Sequence, residues 1–338
     1  MAARDVMGSL MKRAKDLKKR IIFPEGSDER LIEAAEAAIR DGIAKPILVG
    51  KEAEIKSKAK ALGIDPKRFT IIDPSKSKKL EKYASLYSRI SKVPKRTALL
   101  IARQPLFFSA LALKNGDADG MIGGLVYTSA DFESVCKGVI GLRKGTSVPS
   151  SFFIMETPGY KGGENGTLLY ADASVNPNPT AEELADIAVT TGMTARSLLG
   201  WKPRVAMLSF STKGSADHPD ISKVIRATEI AMRKAKGKGI DIDGELQVDT
   251  ALDLQTAKRK IKGDPGDVAG KANVLIFPDL DAGNIAYKLT QRLAGANAYG
   301  PILQGFNKPL SDLSRGATVK DIVGAIAVVA VIAKGWKE

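Results

Sequence analysis

The stretch Arg20-Ile-Ile-Phe-Pro-Glu25, followed by Gly26-Ser-Asp28, introduces a structural pattern that recurs along the chain. The apolar run predicts a short buried strand, and the Gly-Ser-Asp turn leads into a predicted helix over residues 29–41. That helix is indicated by leucine and alanine at helical spacing from Leu31 onward. A strand, a turn and an amphipathic helix in this order are typical of an α/β fold.

The alternation of short strands and helices continues through the chain. Further strands are predicted first at residues 46–49, 69–72 and 119–122, with helices at 51–61, 80–90 and 105–115. A second series begins near Ser151, with predicted strands at 152–155, 167–170, 204–210, 244–248 and 273–277, and helices at 180–199 and 221–236. The pattern predicts mainly parallel sheets covered by helices on both faces, which is a three-layer α/β/α architecture.

The length of 338 residues exceeds what one hydrophobic core usually supports. We predict two α/β domains, one formed by residues 1–147 with 304–338 and the other by residues 148–303. Ligands in such sheets bind outside the carboxyl ends of the strands. Polar loops follow predicted strands at 209–215, 278–284 and 304–315, and their convergence is expected to form one cleft.

The net charge of +14 raises the question of a nucleic-acid partner. The lysine-rich segments 11–20, 51–67 and 76–82 have helical or turn spacing and are mixed with acidic residues. Aromatic residues make up 6% of the chain and do not interleave with these segments, as stacking platforms for bases would. The pattern favours solvated helix faces, so no nucleic-acid partner is expected.

No targeting or membrane-spanning segment is predicted. The N-terminal residues have no apolar run before their charges, and the apolar run over 322–333 is too short to cross a bilayer. The single cysteine, Cys136, excludes an internal disulfide framework. A cytoplasmic location and no membrane partner are therefore expected.

Several common kinds of site are not supported by the sequence. No G-x-G-x-x-G follows a predicted strand, and residues 266–272 lack the spacing and the Ser/Thr of a P-loop. His218 is the only histidine, so neither a transition-metal site nor a nucleophilic triad is expected. A magnesium site at Asp279 and Asp281 stays an alternative, although an aspartate beside glycine and asparagine is more often a turn or a helix cap.

The C-terminal stretch Ser314-Arg-Gly-Ala-Thr-Val-Lys-Asp321 gathers a hydroxyl, a guanidinium and a carboxylate before an apolar helix. Such a loop suits an anionic substrate such as a phosphate or an acyl phosphate. The segment from Thr318 to Asp321 also fits a capping box, in which the carboxylate closes the helix start. The two interpretations of Asp321 remain open at this point.

A series of motifs resembles those of the phosphate acetyl/butyryltransferase family, and within it the phosphate acetyltransferases. The motifs run in order from about residue 20 to the end and lie at residues 23–30, 176–180, 208–215, 270–279, 282–285 and 300–316. The resemblance implies a fold like isocitrate and isopropylmalate dehydrogenases, a cleft between two domains, and a homodimer. It also implies reversible acetyl transfer between acetyl phosphate and coenzyme A (CoA), with CoA as a substrate and neither a metal nor a redox cofactor. The alternatives are a butyryl- or propionyltransferase and a non-catalytic CoA-binding paralogue.

The resemblance assigns catalytic roles to three residues near the C-terminus and a CoA-binding role to Arg89. Ser314 is expected to stabilise the developing oxyanion, Arg315 to hold the phosphoryl oxygens, and Asp321 to take the proton of the CoA thiol. Reference pKa values of about 8.5 for a thiol and about 3.9 for an aspartic acid differ by ~4.6, or ~6 kcal/mol. A carboxylate base therefore needs desolvation, or cations that stabilise the thiolate.

One CoA-binding position departs from the family pattern. Ser134 stands where an arginine is expected, and Lys137 or Arg143 is a candidate to replace the lost cation.

Further substrate-binding candidates lie on two of the polar loops. Ser211, Thr212 and Lys213 follow a predicted strand and are expected to meet the phosphate, although Lys213 also fits a solvated turn lysine. Asn284 stands at a predicted helix start as either a donor to the substrate or an N-cap, and the cap is favoured.

Overall fold

The computed structural model describes residues 5–335. Its strands are β1 (Arg20–Phe23), β2 (Lys45–Val49), β3 (Thr70–Ile72), β4 (Gly120–Gly123), β5 (Ser150–Glu156), β6 (Thr167–Ala171), β7 (Arg204–Leu208), β8 (Asp241–Leu246), β9 (Val274–Ile276), β10 (Asn297–Gln304) and β11 (Leu310–Asp312). Its helices are α1 (Val6–Lys15), α2 (Glu29–Arg40), α3 (Glu52–Ala61), α4 (Leu80–Ser91), α5 (Lys95–Ala102), α6 (Pro105–Lys114), α7 (Ser129–Val139), α8 (Ala181–Leu199), α9 (Pro219–Ala235), α10 (Val248–Leu252), α11 (Leu254–Lys260), α12 (Leu280–Leu293) and α13 (Val319–Lys334).

The chain divides into two compact units. The first unit comprises Met7–Arg143 with residues 300–335, and the second unit comprises Lys144–Tyr299 with residues 5–6. The units divide the chain after residues 143 and 299. The domain boundaries predicted from the sequence lie after residues 147 and 303, four residues later in each case. Each unit has its own group of strands and its own set of helices.

The sheet of the first unit has the strand order β3-β2-β1-β4-β11-β10. The strands from β3 to β11 pair in parallel, whereas β10 and β11 are antiparallel. In the middle of the sheet, Ile22 of β1 pairs with Ile47 of β2 and with Met121 of β4. All three of these side chains are buried, as is required of parallel strands covered on both faces.

Two groups of helices pack on this sheet: α2 with α13, and α6 with α4 and α7. Helix α13 is the apolar helix predicted after Thr318, and it is buried along nearly its whole length. It approaches β4 closely, because a Cβ added at Gly120 would lie 2.4 Å from Cγ1 of Val329. None of the helices within residues 5–335 combines the length and the apolarity needed to cross a membrane.

The sheet of the second unit has the strand order β5-β6-β9-β7-β8. The pair β5 and β6 is antiparallel and the remaining neighbours are parallel. Helix α8, predicted over residues 180–199, begins with a capping box: the Thr180 hydroxyl accepts from Glu183 N, and the Glu183 carboxylate accepts from Thr180 N. This confirms the helix start that the sequence indicated.

The mainly parallel α/β architecture predicted from the sequence is confirmed, but several elements differ. The strand predicted at 244–248 is wrong in its limits, because β8 ends at Leu246 and Val248 begins α10. The predicted loop over 304–315 contains strand β11. This strand was not predicted because two of its three residues, Ser311 and Asp312, are polar, although both are buried. Helices α5, α7, α10 and α11 were not predicted.

Candidate active site

Ser314 and Arg315 lie in the turn between β11 and α13. Both residues are exposed, and Arg315 takes part in none of the ion pairs within residues 5–335. The turn is closed by Ala317 N, which donates to Ser314 O at 2.9 Å. It is anchored to the end of β4 by Leu313 N, which donates to Gly123 O at 2.6 Å. The fold thus presents a hydroxyl and an unpaired guanidinium on a fixed turn at the carboxyl end of a strand.

Asp321 closes the first turn of α13, which confirms the capping box. Its Oδ2 accepts from Thr318 N at 2.9 Å and from Thr318 Oγ1 at 2.8 Å, and Asp321 N donates back to Thr318 Oγ1 at 3.2 Å. Both bonds to the carboxylate use Oδ2. No hydrogen bond found in the described part of the chain uses Oδ1, so capping leaves one oxygen for a second role.

Arg89 and Lys137 lie on α4 and α7 of the first unit. Arg89 is exposed near the end of α4 and forms no ion pair with any residue between 5 and 335. Lys137 is exposed and pairs with Glu133 at 3.5 Å, one helical turn away. No hydrogen bond or ion pair that the structure describes joins either side chain to Ser314 or Arg315.

Ser134, the departure from the family pattern, is an exposed residue of α7. The alternative cation Arg143 follows α7, and its backbone N donates to Gly305 O at 2.8 Å. Both Lys137 and Arg143 have exposed side chains in the first unit. Both cations therefore lie in or just after α7, and Lys137 is already ion-paired with Glu133.

Ser211 belongs to the loop after β7 in the second unit, and this loop is organised by a buried carboxylate. Oε1 of Glu245 accepts from Ser211 Oγ at 2.9 Å and from Gly214 N at 2.7 Å. Glu245 itself lies on β8 and is buried. The Ser211 hydroxyl is thus used to hold the loop.

Thr212 and Lys213 of the same loop also have partners within the second unit. Thr212 is buried, and its hydroxyl accepts from Gln247 N at 3.0 Å. Lys213 has a left-handed φ of 49°, and its Nζ contacts Asp243 Oδ1 at 2.5 Å and Gly244 O at 2.7 Å. Its ammonium is exposed but already ion-paired, so a phosphate would compete with Asp243 for it.

Asn284 lies within α12 and not at its start. The N-cap of α12 is Asp279, whose carboxylate accepts from Ala282 N at 2.8 Å. The preferred assignment of Asn284 as a cap is therefore wrong, because the helix begins four residues before it. Asn284 Nδ2 instead donates to Ala173 O at 3.1 Å.

The alternative of a magnesium site at Asp279 is weakened because capping occupies its carboxylate. Among the residues that the structure describes, no three His, Cys, Asp or Glu side chains are grouped so as to hold a metal ion. The single histidine, His218, caps α9 by accepting from Asp220 N at 3.2 Å. His218 therefore has a structural role at a helix start.

Asp312 is a buried carboxylate that the sequence analysis missed. It ends β11, two residues before Ser314, and is 1% exposed. Neither carboxylate oxygen has a hydrogen-bond partner between residues 5 and 335. Burial raises the pKa of Asp312 to about 6. The nearby Ser129 hydroxyl lowers this pKa without reaching hydrogen-bond geometry, and the negative charge of Glu25 raises it further.

Glu25 is a second missed carboxylate, in the turn after β1. It is buried and accepts from three successive backbone groups: Leu125 N at 2.9 Å, Val126 N at 2.7 Å and Tyr127 N at 2.7 Å. Because a carboxylate with several N–H donors is well satisfied, Glu25 fixes the loop that follows β4. The available signal was its position just beyond an apolar strand, where sites form in parallel sheets.

Comparisons with known proteins match almost the whole chain to one enzyme family. Residues 5–330 match the model of a family described as phosphate acetyl/butaryl transferase. A phosphate acetyltransferase of Thermoanaerobacterium thermosaccharolyticum is 48% identical over 332 residues, which cover 97% of this chain and 99% of that protein. The crystal structure of a phosphotransacetylase from Streptococcus pyogenes superposes with a TM-score of 0.90 at 37% identity, covering 99% of this chain and 100% of the other.

A more distant structural likeness concerns the fold alone. A 4-hydroxythreonine-4-phosphate dehydrogenase from Klebsiella pneumoniae superposes with a TM-score of 0.53 at 15% identity, covering 94% of this chain and 99% of the other. This agrees with the dehydrogenase-like architecture expected from the sequence.

Proposed function

Because the chain belongs to the phosphate acetyl/butaryl transferase family, we propose that it transfers an acetyl group reversibly between acetyl phosphate and CoA. The observation that carries the proposal is the turn between β11 and α13, which presents the Ser314 hydroxyl and the unpaired Arg315 guanidinium beside a helix start. This arrangement suits an anionic substrate that must be held while its carbonyl is attacked.

Each group of the turn has one task in the proposed reaction. Arg315 holds the phosphoryl oxygens with its planar pair of N–H groups. Ser314 donates a hydrogen bond to the carbonyl oxygen as negative charge develops on it, a contribution of about 3 kcal/mol for one donor in other enzymes. The CoA sulfur forms the new bond to the acetyl carbon as the bond from that carbon to the phosphate oxygen breaks, and phosphate leaves. CoA acts as a substrate, and the scheme needs no tightly bound cofactor.

Asp321 receives the thiol proton through the carboxylate oxygen that capping leaves open. Its contacts with Thr318 fix the orientation of the carboxylate, so the cap also positions the base. Proton transfer from a thiol to a carboxylate is uphill at reference pKa values. The Arg315 cation stabilises the thiolate and so reduces that difference.

CoA recognition is assigned to exposed cations of the first unit. Arg89 is the main candidate. Lys137 is proposed to supply the positive charge that is missing at position 134, where Ser134 replaces the expected arginine. In the second unit, Ser211, Thr212, Lys213 and Asn284 are proposed as substrate-binding residues. Replacing Arg89 with alanine should raise the KM for CoA more than the KM for acetyl phosphate.

The test of the proposed activity is thioester formation from CoA and an acyl phosphate by the purified protein. Acetyl, propionyl and butyryl phosphate are compared, and Arg315→Ala is assayed beside Arg40→Ala, which removes an exposed cation of α2. We expect turnover to be fastest with acetyl phosphate, to fall at least 100-fold in Arg315→Ala and to stay unchanged in Arg40→Ala. No turnover with any of the three substrates would leave only a CoA-binding role.

A homodimer is also proposed, and an apolar stripe on α12 supports it. Ile285, Leu289 and Leu293 recur every fourth residue and are 56%, 52% and 82% exposed. An exposed stripe of this kind is typical of a surface covered in an oligomer. Light scattering should show a dimer for the wild type and a monomer for Leu289→Glu, with Lys288→Glu as the neighbouring control.

A further inference from the structure

Arg30 of helix α2 contacts the backbone of the turn that carries Ser314 and Arg315. It is the second residue of α2, and its Nη1 donates to Arg315 O at 2.6 Å and more weakly to Ala317 O at 3.4 Å. These two carbonyls flank Gly316, so a single guanidinium group spans the turn. The contact joins residues 285 positions apart in the chain.

The guanidinium of Arg30 is itself held in place by Asp28. Arg30 Nε donates to Asp28 Oδ1 at 3.2 Å, and Nη2 donates to Asp28 Oδ2 at 3.0 Å, which is a two-point contact. Asp28 is also the N-cap of α2 and accepts from Arg30 N at 3.0 Å. A cation with this many fixed contacts loses little additional entropy when it binds the turn.

The contacts of Arg30 leave little capacity for a substrate. Of its five N–H donors, one on Nε and one on Nη2 point to Asp28, while Nη1 serves the carbonyls of Arg315 and Ala317. In contrast, the Arg315 side chain is exposed and carries no ion pair that the structure describes. The two arginines thus have different roles: the Arg30 guanidinium binds the backbone of the turn, and the Arg315 guanidinium is exposed and can bind a substrate.

We propose that Arg30 is a positioning residue for acetyl transfer, which fixes the backbone of the Ser314–Ala317 turn so that the Arg315 guanidinium meets the phosphoryl group. This inference rests on the proposed role of Arg315. A displacement of about 1 Å in a positioned group can reduce a rate about 100-fold, so loss of the contact should affect the reaction with little loss of folding.

The effect of Arg30 should appear in the step that uses Arg315. For Arg30→Ala, kcat/KM for acetyl phosphate is expected to fall about 10- to 100-fold, as a hydrogen bond from a charged donor suggests. The KM for CoA should change less than about threefold, because the contact does not involve Arg89. Arg30→Lys, which keeps the positive charge but loses the planar guanidinium, and Asp28→Asn, which keeps a capping oxygen, should show smaller losses in the same direction.

A double-mutant cycle tests whether Arg30 acts through Arg315. The Arg30→Ala, Arg30→Lys and Arg40→Ala substitutions are made in the wild type and in an Arg315→Lys background, and kcat/KM for acetyl phosphate and the unfolding midpoint are measured for each. Arg40 lies on the same helix as Arg30 and pairs with Asp41, away from the turn. We expect the Arg30 effect to shrink to less than about threefold in the Arg315→Lys background, while Arg40→Ala changes nothing in either.

The outcomes separate this inference from the proposed function. A full Arg30 effect in the Arg315→Lys background would overturn the positioning role, because Arg30 would then act directly on the substrate or on the fold. An Arg30 variant as active as the wild type would overturn it as well. If Arg315→Lys and Arg315→Ala retain full activity, the assigned role of Arg315 fails first, and the Arg30 proposal fails with it.

Discussion

Oδ1 of Asp312 lies 2.2 Å from the position that a Cβ on Gly124 would occupy. Gly124 also has a φ of 101°, a conformation that favours glycine. The backbone of Leu313 approaches the same point, with its O and N at 2.6 and 2.7 Å. The turn after β4 and the end of β11 are therefore in such close contact that position 124 has no room for a side chain.

Gly124→Ala should consequently destabilise the protein by about 3 kcal/mol or more, since it adds overpacking to backbone strain. The matched control is Gly42→Ala, where φ is 70° but nothing lies within 4 Å of the added Cβ. Strain alone should cost the control about 1–2 kcal/mol. Urea unfolding of both variants measures the difference, and equal losses would contradict the close contact.

Asp312 should make stability depend on pH between about 4 and 7. Its pKa in the folded protein is raised to about 6 from 3.8, so the folded state binds the proton more tightly than the unfolded state. Ionisation above pH 6 therefore destabilises the fold, and protonation as the pH falls restores stability, on the order of 3 kcal/mol for a shift of about two units. Relative to Asp312→Asn, the wild type should gain this stability from pH 7 to pH 4.

The comparison of wild type with Asp312→Asn cancels the other titrating groups that both proteins share. Unfolding free energies from urea titrations at pH 4, 5, 6 and 7 give the difference directly. A constant difference across these pH values would show that Asp312 keeps an ordinary pKa.

Asp321 can be tested separately as a cap and as a base. Asp321→Asn keeps an oxygen for Thr318 N, so its stability should fall by less than about 0.5 kcal/mol while activity falls about 100-fold or more. Thr318→Ala should cost about 1 kcal/mol and reduce activity far less. Thr180→Ala, in the capping box of α8, is the control that loses similar stability with full activity. Normal turnover by Asp321→Asn would leave Asp321 as a cap only.

Glu245 should be required for the shape of the 211–214 loop. Glu245→Ala removes the acceptor of Ser211 Oγ and Gly214 N in a buried position, which should cost about 2–3 kcal/mol. If this loop meets the phosphoryl group, KM for acetyl phosphate should rise in the same variant. Glu229→Ala, an exposed change on α9, provides the control. A variant with unchanged stability would show that the loop does not depend on Glu245.

The sequence was sufficient for the elements with strong local signals. Apolar strands such as β1 and the capping box of Thr180 and Glu183 depend on neighbouring residues, so the order of strands and helices could be predicted. The N-cap residue of α12 could not be predicted, because Asp279 and Asn284 lie in the same segment and both are residue types that cap helices. Only the length of the helix decides between them.

The buried polar groups could not be predicted because their partners are distant in the chain. Glu25 is satisfied by backbone groups about 100 residues away, and Arg30 by carbonyls about 285 residues away. Asp312 resembles a loop residue in sequence, and only the pairing of β11 with β4 places it in the interior. Long-range packing of this kind leaves no mark in local spacing.

The most direct test of acetyl transfer is exchange of labelled inorganic phosphate into acetyl phosphate. Direct attack by the CoA thiol predicts exchange when CoA is present, none without CoA, and none with a CoA analogue that lacks the sulfur. The exchange should also fall at least 100-fold in Arg315→Ala. Exchange without CoA would contradict the direct step and indicate an acetylated protein, and no exchange with CoA would contradict the transferase function itself.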